Sequence, residues 1–220
     1  MKHRESGFTL IEILIVVSVI GVLASIAVPT LIRSKTSANE GAVIGTLRSV
    51  SSAQFQFKAM NLVDTNQDGG YEYGTLGEIT GIRYLRGTAE KLAPRLMSNS
   101  LGTLDSQGQV FRHGYLLALY LPDAAGKGLP ETAGNLTNID PNLASDYWTF
   151  VAWPGDQKTA HTFFVNQQGQ ILKTRGGYVG TGNVPPAGCA LLGVPPDQID
   201  TQELAVSQTG ADGNNWLPVQ

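Results

Sequence analysis

The chain has 220 residues, 42% of them apolar, with 15 basic and 18 acidic side chains for a formal charge of −3, enough for one or two domains around a sizeable core. Residues 61–220 hold nine basic and fifteen acidic groups, so this part lacks the clustered basic face that nucleic acid requires, and no specific nucleic-acid site is evident. The single cysteine, Cys189, excludes an internal disulfide and a four-cysteine zinc site.

The first element is an apolar run. From Phe8 to Val28 the sequence carries one charge, Glu12, and 21 residues of helix span about 31 Å, close to the hydrocarbon thickness of a bilayer. Lys2 and Arg4 precede it, which orients the start toward the cytoplasm and the rest outside. A secretory signal with Ser25-Ile26-Ala27 as cleavage site is the competing reading. Against it stand the length of the run, the acid near its start, and a helical pattern that continues past Ala27. An acid in an apolar helix calls for a partner. A cut between Gly7 and Phe8 would create one, an α-amine on Phe8 one turn from Glu12, within the same chain or on a neighbour.

Pro29 removes a backbone hydrogen bond and predicts a kink or local melting near Ala24 to Val28. Arg33 and Lys35 mark the water interface. Val43, Leu47, Val50, Gln54 and Phe57 then recur at steps of four and three, which predicts an amphipathic helix to about Met60. Its opposite face is polar, with Asn39, Glu40, Ser49, Ser52 and Gln56.

The head follows from residue 61. Asn61 to Gly81 reads as a loop, and a short helix is expected around Glu90 to Met97. Strands are predicted over Phe111–Leu121, Tyr147–Trp153 and His161–Asn166, the last turning at Gly169 into Gln170–Thr174. Short links favour antiparallel pairing, so the expected fold class is α+β. It consists of a long N-terminal helix, apolar then amphipathic, packed on a small antiparallel β-sheet of three or four strands. The tail from Gly176 is rich in Gly, Pro, Asn and Gln and reads as a surface wrap or a partly mobile segment.

The string Gly7-Phe8-Thr9-Leu10-Ile11-Glu12 resembles the leader junction of type IV pilins and type II secretion pseudopilins. Gly21 and Pro29 stand where helix-loosening residues occur in many of these proteins. The resemblance implies a basic prepilin leader over 1–7 and an N-terminal helix over 8–60, with 8–28 as membrane and filament core. A periplasmic or extracellular head over 61–220 completes the layout. It further implies cleavage after Gly7 by a prepilin peptidase, N-methylation of Phe8, and single-pass storage in a bacterial inner membrane. Assembly with copies of itself and other pilins on an inner-membrane platform would follow, with Glu12 setting register. The competing function is a signal-anchored periplasmic binding or enzymatic domain.

Outside this segment the signals are fewer. Asp64, Asn66, Asp68 and Glu72 fit part of a calcium loop, although Thr75 stands where a bidentate Glu is required. The chain implies no cofactor beyond this candidate Ca2+ site. His113 and His161 read as half-buried sheet histidines, and Cys189 as an unpaired thiol in the tail. No hydrolase elbow, zinc-protease helix or phosphate loop is present, so the chain is not expected to be an enzyme.

Overall fold

The computed structural model describes residues 7–156 and 160–219. Residues 1–6 of the leader, with Lys2 and Arg4, lie outside the described residues. One helix, α1, runs over Leu10–Ala59; of the kink or local melting expected near Ala24 to Val28, the melting does not occur, since the backbone stays helical through Gly21 and Pro29. Hydroxyls on either side of the proline bond carbonyls that precede it, Ser25 Oγ donating to Val22 O (2.7 Å) and Thr30 Oγ1 to Ile26 O (3.0 Å). α1 stops at Asn61, which takes the left-handed conformation (φ 56°) that ends helices. The chain divides into two compact units between Asn39 and Glu40.

Within the second unit the amphipathic stripe is buried as its period requires: Val43, Leu47, Val50, Ala53, Gln54 and Phe57 face the core. A fully buried Leu or Phe contributes about 1.5–3 kcal/mol. Glu40 departs from the expected polar outer face. Its Oε1 accepts from the backbone N–H of His161 (3.0 Å) and lies 2.9 Å from His161 Nδ1.

The sheet is larger than three or four strands. Among the described residues it has eight: β1 Gln109–Arg112, β2 Tyr115–Pro122, β3 Gly128–Pro130, β4 Thr149–Pro154, β5 Thr162–Asn166, β6 Leu172–Thr174, β7 Gln208–Thr209 and β8 Asn215–Pro218. All pairs are antiparallel, in the order β1-β2-β4-β5-β6-β8-β7, with β3 also on β2. The single strand expected over Phe111–Leu121 is a hairpin. Its two-residue turn is His113-Gly114, both at positive φ (52° and 77°), the geometry that matches strand twist. His113 is therefore an exposed turn residue and not a sheet histidine.

Every residue of β2, β4 and β5 is buried, because both sheet faces are covered. Leu117, Leu119, Phe150 and Phe163 join the core that includes Leu47 and Phe57 of α1. Leu116, Val151, Trp153 and Phe164 face a second core, closed by Cys189, Leu191, Ala205 and Trp216 of the tail. The tail is thus a third layer that closes this core rather than a surface wrap. It closes tightly: a Cβ on Gly188 would run into the Gln198 carbonyl oxygen. Cys189 is fully buried rather than exposed, and burial pushes its thiol well above the usual range.

The helix expected over Glu90–Met97 does not form, since Pro94 interrupts it and Tyr84 instead bridges to Lys91 as an isolated β-pair. The short helices lie elsewhere. α2, Leu76–Ile79, sits in the predicted loop under a Thr75/Glu78 capping box, and α3, Pro141–Asp146, starts on an Asp140 cap.

Candidate functional site

The start of α1 differs from the rest of the molecule in leaving its apolar side chains uncovered. Sixteen large apolar residues between Phe8 and Ile32 are exposed, from Phe8 at 85% to Ile13 at 51%. α1 is long and apolar enough to cross a membrane. Patches of this extent on soluble monomers are rare and mark surfaces that another phase or chain covers.

Glu12 is the one charge in this stretch, and its surroundings are specific. Its Oε2 accepts from the Thr9 backbone N–H (2.8 Å) and from Thr9 Oγ1 (2.7 Å), while its own N–H donates to Thr9 Oγ1 (3.3 Å). That is a capping box closing the first turn. A Ser/Thr three residues before a Glu was legible as Thr9-Leu10-Ile11-Glu12, yet Thr9 was absent from the sequence-based site. Oε1 of Glu12 makes no bond among the described residues, so one lone-pair direction stays open to a cation from elsewhere. Gly7 and Phe8 precede the helix and are exposed. Gly21 has no heavy atom within 4 Å of where a Cβ would stand. A neighbouring backbone meets no side chain at that point.

The loop with Asp64, Asn66, Asp68 and Glu72 closes on itself. Asp64 accepts from the N–H groups of Asp68 (3.2 Å) and Gly69 (3.0 Å), and Asp68 from Gly70 N–H (2.6 Å) and Asn66 Nδ2 (2.7 Å). Glu72 is turned inward, accepting from Thr65 N–H (2.8 Å) and lying 2.9 Å from Arg86 Nη1. These bonds are made within the loop, and among the described residues no three His, Cys, Asp or Glu side chains are grouped to hold a metal.

The two histidines are far from a shared role. His113 is at the hairpin turn, whereas His161 bonds Glu40 through Nδ1 and accepts from Arg175 Nε at Nε2 (3.1 Å). With Nε2 accepting, Nδ1 is the ring nitrogen left to donate to Glu40.

Residues 2–28 match the family described as the prokaryotic N-terminal methylation motif. The type II secretion system core protein G of Aeromonas hydrophila is 35% identical over 60 residues, 27% of this chain and 42% of that protein. Its namesake from Klebsiella pneumoniae is 40% identical over 59 residues, with the same coverage of 27% and 42%. The type IV major pilin protein PilA of Myxococcus xanthus is 41% identical over 54 residues, 24% of each chain. The chain thus spans less than half the length of these relatives. No solved structure matches it. The chain is similar to pilins and pseudopilins, and its long helix on an antiparallel sheet is a pilin-like α+β fold.

Proposed function

We propose that this chain is a structural subunit of a type IV pilus-like or type II secretion pseudopilus filament, and not an enzyme. The observation that carries the reading is the uncovered apolar start of α1, headed by a lone capped acid inside a methylation motif. Before assembly the bilayer covers this surface, and in the filament the same surface of neighbouring subunits does. Cleavage after Gly7 would give Phe8 an α-amine, a cation for the free Oε1 of a neighbour's Glu12. The bond fixes axial register, because an unpaired acid among apolar helices is unfavourable in any other position. Gly21 and Pro29 supply the point at which the helix loosens as subunits leave the bilayer. The second unit, facing away from the cytoplasm, gives the filament its outer surface.

The test is the intact mass and N-terminal sequence of the protein from its native membrane. A chain starting at Phe8 and one methyl group heavier than calculated is the expected result. A start at Met1 would make it a simple anchored domain, and a start near Val28 a secreted one. Either would overturn the proposal.

A further inference from the structure

Three acids are buried together around α2 with two guanidinium groups to serve them. Glu72, Glu78 and Glu131 are exposed by 1%, 1% and 3%. Arg86 is committed to two of them, lying 2.9 Å from Glu72 Oε2 and 3.1 Å from Glu78 Oε1, and it also donates to the Tyr73 carbonyl. Glu131 is left with Arg83, whose Nε is 3.0 Å away but whose side chain is 38% exposed. With every group ionised the cluster holds one uncompensated negative charge away from water, an unfavourable state that one proton removes.

The surroundings of Glu131 single it out as the acid that takes the proton. It faces the Gly77 N–H, which donates to both carboxylate oxygens (3.1 and 3.0 Å), with the Thr75 hydroxyl, Arg83 and, at longer range, Glu78. The small space beside it is otherwise lined by Leu119, Leu121, Leu129 and Ile139. Gly77 permits this close approach: a Cβ would stand 2.5 Å from Glu131 Oε1 and 2.6 Å from Arg83 Cδ, and both side chains would have to shift. Water therefore has little access to the carboxylate.

We propose that Glu131 is a proton-operated clasp, holding Arg83 against β3 when ionised and releasing that guanidinium to solvent when protonated. Release adds a free cation beside the exposed Tyr84 ring, over which Lys91 Nζ already sits at 5.0 Å. Acidification would thus change the charge of one surface of the head without unfolding it. Desolvation lifts the Glu131 carboxyl to about 7, outweighing the Gly77 N–H and Arg83, which pull it down. The raised value means that the folded head binds this proton more tightly than the unfolded chain does. The resulting stability is complete below the ordinary carboxylate range and is lost as pH rises through neutrality.

The test follows two signals in the full-length protein in detergent: the Glu131 side-chain carboxyl carbon and the Arg83 Nε–H group, by NMR across a pH series. Both are expected to move with one midpoint near neutrality. Glu131→Gln is expected to keep Arg83 in its released state at every pH. It should also abolish a change in the unfolding equilibrium that in the parent is on the order of 10²-fold between acid and alkaline conditions. A Glu131 midpoint in the ordinary carboxylate range, or an Arg83 signal that ignores the titration, would overturn the clasp. Should the variant fail to fold, the parent titration decides alone.

Discussion

Gln54 is the most deeply buried polar residue of α1, and its removal gives a sharp test of how the helix is held. It is fully buried. Its Nε2 donates to Gly74 O (2.7 Å) and its Oε1 accepts from Gly74 N–H (2.9 Å), so one amide satisfies both polar groups of one residue in the loop before α2. Gly74 has little freedom to seek other partners. A Cβ there would stand 2.8 Å from Ile79 Cγ2 and 3.0 Å from the Phe57 ring. In Gln54→Leu both backbone groups lose their partner in a site closed to water. Each unsatisfied group costs about 1–3 kcal/mol, partly offset by burying a more apolar side chain, so the net loss is about 2–4 kcal/mol.

The assay is urea unfolding of the full-length protein in detergent, where a slope of about 2 kcal/mol/M converts that loss into a midpoint lowered by about 1–2 M. Gln54→Glu separates lost bonding from altered shape. In its neutral acid form the introduced side chain can donate to Gly74 O as the amide does; as a carboxylate it presents an oxygen to an oxygen. Its folded-state pKa is therefore raised, and the variant should approach the parent in acid and fall away from it as pH rises. The comparison is with the parent at each pH, because Glu131 contributes its own dependence. A Gln54→Leu midpoint within experimental error of the parent would refute the reasoning, as would a Gln54→Glu penalty that is flat with pH.

Other expectations follow from the same contacts. Glu12→Val should leave the chain processed and membrane-bound but sharply reduce filament yield, measured by sedimentation of sheared filaments. Thr9→Ala should give a smaller loss, since it frees the carboxylate without removing it. Trp216→Ala should lower stability by about 3–5 kcal/mol in urea unfolding, because this ring is fully buried, packs on Phe164 at 6.0 Å and donates to Asp212 Oδ1 at 3.1 Å. Calcium at millimolar concentration should leave the unfolding midpoint unchanged, as the oxygens of Asp64 and Asp68 are already paired within the loop. A rise with calcium that Asp64→Asn removes would contradict that.

What could be read from sequence was set by period and by spacing. The stripe from Val43 to Phe57 has a helical period that no strand shares, and all five residues named from it are buried. Spacing of another kind, Gly7, Phe8 and Glu12, located the candidate assembly segment. The hairpin within Phe111–Leu121 was harder to see because β2 is apolar on both faces, which erases the alternation that marks strands. His113-Gly114 was the available turn signal. Glu40 looked like an outward residue because periodicity carries no information about a partner 121 positions away, His161. The tail misled through composition: Gly and Pro usually mark exposed chain, whereas here Gly188 and Pro186 shape a close turn around Cys189, whose N–H bonds Pro186 O at 3.2 Å.

The third layer bears on the proposed role of the chain. Without residues 184–216, one sheet face with Trp153, Phe164 and Val151 would be bare, a second apolar surface competing with α1 for partners. Covering that face internally leaves the start of α1 as the dominant uncovered apolar surface among the described residues. A subunit with one such surface associates through one geometry, and repetition of a single heterologous contact that does not close generates a helical array. Loosening the tail, as Trp216→Ala would, is therefore expected to do more than lower stability: it should turn ordered filaments into amorphous aggregates. Electron microscopy of sheared material distinguishes the two, and regular filaments from a tail-destabilised variant would show that the third layer plays no part in directing assembly.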